Sequence, residues 1–244
     1  MYFNQSSGIR ANHHLEPGRS AKNQVTDFCG DRFHLTIFMT ELENLKRPFI
    51  LASRSPRRRQ ILSQMGLTFD IEDPGVADEE SYINADDLEN SLRFLATAKA
   101  ESIARRRPGA LVLGADTVVV KGKNILGKAA DKEEAARMLS MLSGTSHTVI
   151  TAVALLCTEK EFSRSVAVKT SVFFRDLSQK EIQSYLAMDE YRDKAGAYAI
   201  QGRAMIFVDK IEGCYYNVVG LPVTATLNLI KQFVRKESID VRQS

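Results

Sequence analysis

Cysteine is scarce: Cys29, Cys157 and Cys214 are widely separated and form no CxxC pair. That argues against a disulfide framework or a zinc site and points to a reducing compartment, so a cytoplasmic location is expected. No apolar run approaches the ~18–20 residues of a membrane span. A formal net charge of +3 is too small to imply nucleic-acid binding, so basic residues matter locally and not globally. Internal repeats and low-complexity tracts are absent. So are the phosphate-binding patterns G-x-x-x-x-G-K-[ST] and G-x-G-x-x-G and the nucleophile elbow G-x-S-x-G.

What is present is ordinary globular composition, 44% apolar and 26% charged, over 244 residues. Residues 1–38 differ from the rest: they mix Asn, Gln, Ser, Gly and His without periodicity, and lack the apolar core of a signal peptide. Met39 is a natural start just ahead of the first strand. The leader is therefore expected to be a misassigned start or a disordered arm, and residues 39–244 the functional domain.

The most informative segment is Ser53-Arg54-Ser55-Pro56-Arg57-Arg58-Arg59. A buried strand, Phe49–Ala52, precedes it. Ser55 suits an N-cap and Pro56 the first helical position, and Gly66 supplies the stop. Helix N-termini favour carboxylates by roughly 0.3–1 kcal/mol each, yet this first turn carries three cations. A bound polyphosphate explains the inversion: free N–H groups, serine hydroxyls and guanidinium forks all suit it.

Further along, Phe69–Glu72 alternates as a half-buried strand, and an acidic loop, Asp73–Glu80, follows. A helix is expected over about 86–107. Its core stripe of Leu88, Leu92, Leu95 and Ile103 also contains Lys99, all within about 80° of one another. A lysine on that stripe either snorkels or meets an anion in a cleft, and the cleft is preferred. Leu111–Gly114 reads as a strand with Asp116 at its end, where open α/β sheets place catalytic groups, before Val118–Val120 resumes β structure. Asp131 with Glu134, and Ser178 with Glu181, read as capping boxes. His147–Cys157 and Val166–Phe174 read as neighbouring strands, Ile206–Ile211 with Cys214–Val218 as a hairpin, and Gly220-Leu221-Pro222 as the start of a last helix. This interleaving predicts an α/β fold, a mixed central sheet flanked by helices.

Cations with carboxylates and no side-chain nucleophile suit metal-assisted attack of water on a phosphoanhydride. A divalent ion held by Asp78 and Asp116 would screen the phosphates and orient the water. Glu79 is a further acid in the same loop.

Five segments together resemble the Maf family of nucleoside triphosphate pyrophosphatases, once described as septum-formation inhibitors. They are Leu51-Ala52-Ser53-x-Ser55-Pro56-Arg57-Arg58, Gly114-Ala115-Asp116-Thr117, Leu142-Ser143-Gly144-x-x-His147-x-Val149, Asp193-Lys194-Ala195-Gly196-Ala197-Tyr198-x-Ile200-Gln201-Gly202 and Asn217–Pro222. The resemblance implies two lobes around a nucleotide cleft, as in inosine triphosphate pyrophosphatases. It implies cleavage between the α and β phosphates with Mg²⁺ or Mn²⁺, and allows a homodimer. Asp116 falls on the catalytic aspartate, with Lys99 and Lys128 as catalytic lysines. Ser53, Ser55, Arg57 and Arg58 fall on phosphate-contacting positions, and Asp78 on an acidic position near the metal. Arg57, Thr117 and Gln201 resemble the branch that cleaves dTTP and UTP. Two alternatives stay open: a 7-methyl-GTP pyrophosphatase, and a septation regulator acting through protein contacts.

Overall fold

In the computed structural model, residue 45 and residues 47–243 are described. The expectation for the leader lies outside them. The described chain builds one mixed seven-stranded sheet: β1 (Phe49–Ala52), β2 (Asp70–Glu72), β3 (Leu111–Lys121), β4 (Asn124–Leu126), β5 (Ser146–Cys157), β6 (Phe162–Phe174) and β7 (Val208–Glu212). Their order is β2-β1-β3-β5-β6-β7, with β4 pairing along β3. The β2-β1-β3 end is parallel and the β3-β5-β6-β7 end antiparallel.

Helices cover both faces, which is why β1 is buried at every position. The helices are α1 (Pro56–Gln64), α2 (Leu88–Ala104), α3 (Lys132–Leu142), α4 (Gln179–Leu186), α5 (Tyr215–Val219) and α6 (Val223–Gln243). Helix α2 packs Leu92, Ala96 and Ala100 with Ile50, Ala52 and Val112 on one face. Side chains of α1, α3, α4 and α6 pack with Phe49, Leu51, Leu113 and Val153 on the other. The alternation of single residues between the two clusters is the period-2 geometry of a strand buried on both sides.

Local signals are realised where they are self-contained. The Ser55 hydroxyl accepts from the Arg58 N–H, and Pro56 opens α1. The Ser178–Glu181 capping box is complete. At α3 the box slips by one residue: Asp131 caps the Glu134 N–H, while Glu134 reaches back to the Ala130 N–H.

Two expectations need correction. Strand β3 does not end before Asp116; it runs unbroken for 11 residues because β5 pairs with it from Val112 to Val120. The expected hairpin across Gly213 does not form. Cys214–Val218 is instead the start of α5, despite its strand-like composition, because Asn217 is drawn into the core. There its amide donates to the Val149 carbonyl and the Thr170 hydroxyl, both at 3.0 Å. Strand β7 pairs with β6 instead. Gly220, at φ 118°, then ends α5 in a conformation that glycine tolerates.

The contact of α2 with β3 is close enough to exclude any side chain at Gly114. A Cβ there would lie 2.1 Å from the Ala96 carbonyl oxygen and 2.9 Å from the Ala100 nitrogen. These are helix backbone atoms and cannot turn aside. Gly114→Ala is expected to destabilise the fold by about 3 kcal/mol, measured by urea denaturation, through overpacking.

Candidate active site

Strand β1 stops opposite Gly114, and β4 begins pairing only at Val119. Between them one edge of β3, residues 115–118, has no strand beside it. A cleft of about 1370 Å³ opens there, lined by the β1–α1 turn, the acidic loop, Lys128 and the segment 192–201. The structure therefore puts Asp116 at an opening after all, one created by the short neighbouring strands and not by an end of β3.

Alternation along β3 sends Asp116 to the α2 face, with Gly114, and Thr117 to the opposite face. On the α2 face, Asp116 meets Lys99 at 2.7 Å. The Lys99 ammonium also contacts Glu79 Oε1 at 2.8 Å. Side-chain exposure is 7% for Lys99, 14% for Asp116 and 41% for Glu79, so the pair at the core is buried and the third member reaches in from the loop. Lys99 thus does meet anions in a cleft, but they are the protein's own carboxylates. A buried pair of this kind is costly to break by removing one partner, about 3–5 kcal/mol.

The loop acid brought to this centre is Glu79 and not Asp78. Asp78 adopts a left-handed conformation at φ 50°, is exposed, and makes no side-chain cap bond. The backbone reversal there points the next residue inward. Spacing alone did not separate two adjacent acids.

Arg58 also occupies a place different from the one expected. Its Nε donates to the Gly220 carbonyl at 2.9 Å, Nη1 to the Ala115 carbonyl at 2.8 Å and to Ser53 Oγ at 3.1 Å, and Nη2 to Thr117 Oγ1 at 3.1 Å. Four of the five N–H groups of a guanidinium are thereby engaged within the protein. Burial lowers its pKa from the ordinary arginine value, with Asp116 opposing that shift. Arg58 is a pin across the open edge of β3, with little capacity left to clamp a ligand. Its bond to Thr117 continues into the core. Thr151 donates to the Asn217 carbonyl at 2.8 Å, so the 3.0 Å contact between the two threonine hydroxyls takes its proton from Thr117. The Thr117 hydroxyl can then accept from a ligand but has no proton to give.

The remaining cations differ. Arg57 lies half-buried on the cleft wall with no hydrogen bond or ion pair to the described residues. Burial lowers its pKa, and Asp193 opposes the shift. Lys128 is exposed at the cleft and likewise has no ion pair among the described residues; its backbone bridges to Ala195. Lys194, quoted in the family motif but given no site role there, also lines the cleft. Burial and then the neighbouring Arg57 lower its pKa. Two like charges pressed together at a cleft wall are a signal visible only once the chain is folded. Arg59 is exposed and Arg54 pairs with Asp73 at 3.5 Å. Ser53 is buried and accepts from the Ser55 N–H, while Gln201 stands exposed on the cleft wall.

A mixed sheet with an open central edge, a Lys–Asp–Glu cluster buried at its Lys–Asp pair, and Arg57 and Lys128, which have no ion pair among the described residues, define a cleft for a polyanionic ligand. A family model described as Maf-like protein matches residues 48–233. The chain belongs to that family. It is 46% identical to a dTTP/UTP pyrophosphatase of Pelotomaculum thermopropionicum over 187 residues, covering 77% of this chain and 97% of that protein. Proteins of the same name from a Geobacillus species and from Rhodospirillum rubrum are 48% and 49% identical. Those matches cover 76% and 75% of this chain and 98% and 86% of the relatives.

Arg58 and Arg57 are adjacent in sequence but opposite in role, which urea denaturation can separate. Arg58→Lys loses the guanidinium that spans four partners and is expected to destabilise the protein by about 3 kcal/mol. Arg57→Lys, which breaks no internal bond, is expected to change stability by less than about 0.5 kcal/mol.

Proposed function

We propose that the chain is a nucleoside triphosphate pyrophosphatase that hydrolyses dTTP and UTP to the monophosphate and pyrophosphate. The observation that carries this reading is the Asp116–Lys99–Glu79 cluster at the open edge of β3, faced by Arg57 and Lys128, which have no ion pair among the described residues. Names of relatives at 46–49% identity over nearly their full length support the choice of nucleotide.

In this reading Lys99 fixes one carboxylate oxygen of Asp116 and leaves the other to take a proton from water. The water oxygen bonds to the α-phosphorus, the bond to the bridging oxygen breaks, and its electron pair leaves with pyrophosphate. Arg57, Lys128 and Lys194 stabilise the charge that grows on that leaving group. Backbone and hydroxyl groups at Ser53 and Ser55 shape the turn on which Arg57 is carried. Gln201 offers both a donor and an acceptor to a pyrimidine edge.

Mg²⁺ or Mn²⁺ suits this centre. Its donors are hard carboxylate oxygens. A partial protein shell completed by water and phosphate is typical of Mg²⁺ in nucleotide sites. Glu79 would hold the ion through the carboxylate oxygen that Lys99 does not engage, leaving the free oxygen of Asp116 for the water proton. When bound, the ion would screen phosphate charge and acidify water. The described residues contain no helix long and apolar enough to cross a membrane. We place the enzyme in the cytoplasm, where its substrates are.

The test is a nucleotide panel with Mg²⁺ or Mn²⁺, following monophosphate, pyrophosphate and orthophosphate. Highest kcat/KM for dTTP and UTP with pyrophosphate release is expected. Preference for 7-methyl-GTP would overturn the nucleotide assignment, and orthophosphate release the bond assignment. In the same assay Glu79→Gln is expected to lose roughly 10–100-fold in kcat/KM, and Asp78→Asn to stay within about fivefold of the parent.

A further inference from the structure

The segment 195–202 forms one wall of the cleft, and its middle is tied to the sheet by a buried pair of side chains. Gly196 donates to the Leu126 and Gly127 carbonyls at one end. At the other end Glu190 accepts from the Arg203 N–H at 2.9 Å. Between these fixed ends, Ala197 is fully buried in the left-handed conformation at φ 60°, which an alanine adopts only under constraint. The next residue, Tyr198, is 6% exposed, and its hydroxyl lies 2.8 Å from His147 Nε2 on β5. Phe174 of β6 stands edge-on to both rings at 4.9 Å. Burial, with Lys121 adding to it, holds the imidazole pKa down to about 4, so the ring is neutral near pH 7. Three residues beyond the anchor, Gln201 stands exposed at the cleft wall, with no side-chain hydrogen bond among the described residues.

From this arrangement we propose that His147 and Tyr198 are positioning residues for nucleobase selection: their hydrogen bond fixes the turn that presents Ile200 and Gln201 to the base. The proposal rests on the pyrophosphatase reading above. Neither residue contacts the triphosphate machinery. Asp116 and Lys99 lie on the other side of β3, and the cations Lys128 and Lys194 adjoin the Ala195–Gly196 end of the segment, which backbone bonds to Leu126, Gly127 and Lys128 hold without Tyr198. Loosening the anchor therefore frees the base-recognising wall without disturbing the reacting end.

Tyr198→Phe keeps the ring and its Phe174 contact and removes only the hydroxyl. With UTP as substrate, KM is expected to rise about tenfold while kcat stays within about twofold, the pattern of lost uniform binding. The UTP-to-GTP ratio of kcat/KM is expected to fall by the same factor. The inhibition constant of inorganic pyrophosphate, which carries no base, is expected to be unchanged. A KM for UTP equal to the parent's would overturn the proposal. So would a parallel rise in KM and in the pyrophosphate constant, since that is general damage to the cleft. Should Tyr198→Phe fail to fold, His147→Gln and His147→Ala decide the matter. The glutamine amide can still meet the tyrosine hydroxyl, so it must retain more UTP selectivity than alanine; equal selectivity in the two would sink the idea. Parent enzyme inactive on UTP would defeat the functional reading instead, and the two failures are thereby distinguishable.

Discussion

A guanidinium across an unpaired stretch of β-strand is the constraint on which the site depends. Where β1 has ended and β4 has not begun, the Ala115 carbonyl would face the cleft with no partner. An unpaired buried carbonyl is costly, and Arg58 satisfies it. The same side chain ties the strand to the β1–α1 turn through Ser53, to the turn after α5 through Gly220, and to β5 through the two threonines. An opening in the sheet is thus kept open and rigid, and the cleft needs no separate domain to form it.

That opening has two chemically different sides because a strand alternates. On one face Asp116 is pressed against α2, close enough to β3 that only glycine fits at residue 114. On the other, Thr117 is occupied by Arg58 and Thr151. The charges divide accordingly. Lys99 is committed to carboxylates, Arg58 to the fold, and Arg57 and Lys128 stand at the cleft wall with no side-chain ion pair among the described residues. Of the three successive arginines in the first turn of α1, one pins the sheet, one faces the cleft and one is solvent-exposed. The charge pattern at this helix N-terminus is less anomalous than it looks in sequence, since one of the cations is turned into the fold and solvated by internal carbonyls.

The parts of the structure legible in sequence were those decided within a few residues. Ser55-Pro56, Ser178-Glu181 and Gly66 carry their own geometry, and the stripe containing Lys99 follows from helical periodicity alone. The family motifs located Asp116 and the cleft. What failed was decided at long range. Residues 214–218 have strand-like composition, but Asn217 reaches partners more than 40 positions away and the segment coils. Residues 115–117 look like a strand end because glycine, alanine and aspartate interrupt the apolar run; β5 holds them extended regardless. The choice between Asp78 and Glu79 turned on one left-handed residue, and the role of Arg58 on carbonyls remote in sequence. No local pattern encodes either.

The central claim is that Asp116, held by Lys99 at the open edge of β3, serves turnover and not nucleotide binding. The most direct test compares Asp116→Asn with the parent enzyme in two measurements, UTP turnover and calorimetric binding of a non-hydrolysable α,β-methylene UTP analogue. Loss of turnover by about 10³-fold or more, with binding within about fivefold of the parent, is the predicted result. Turnover kept near the parent's rate would contradict the account.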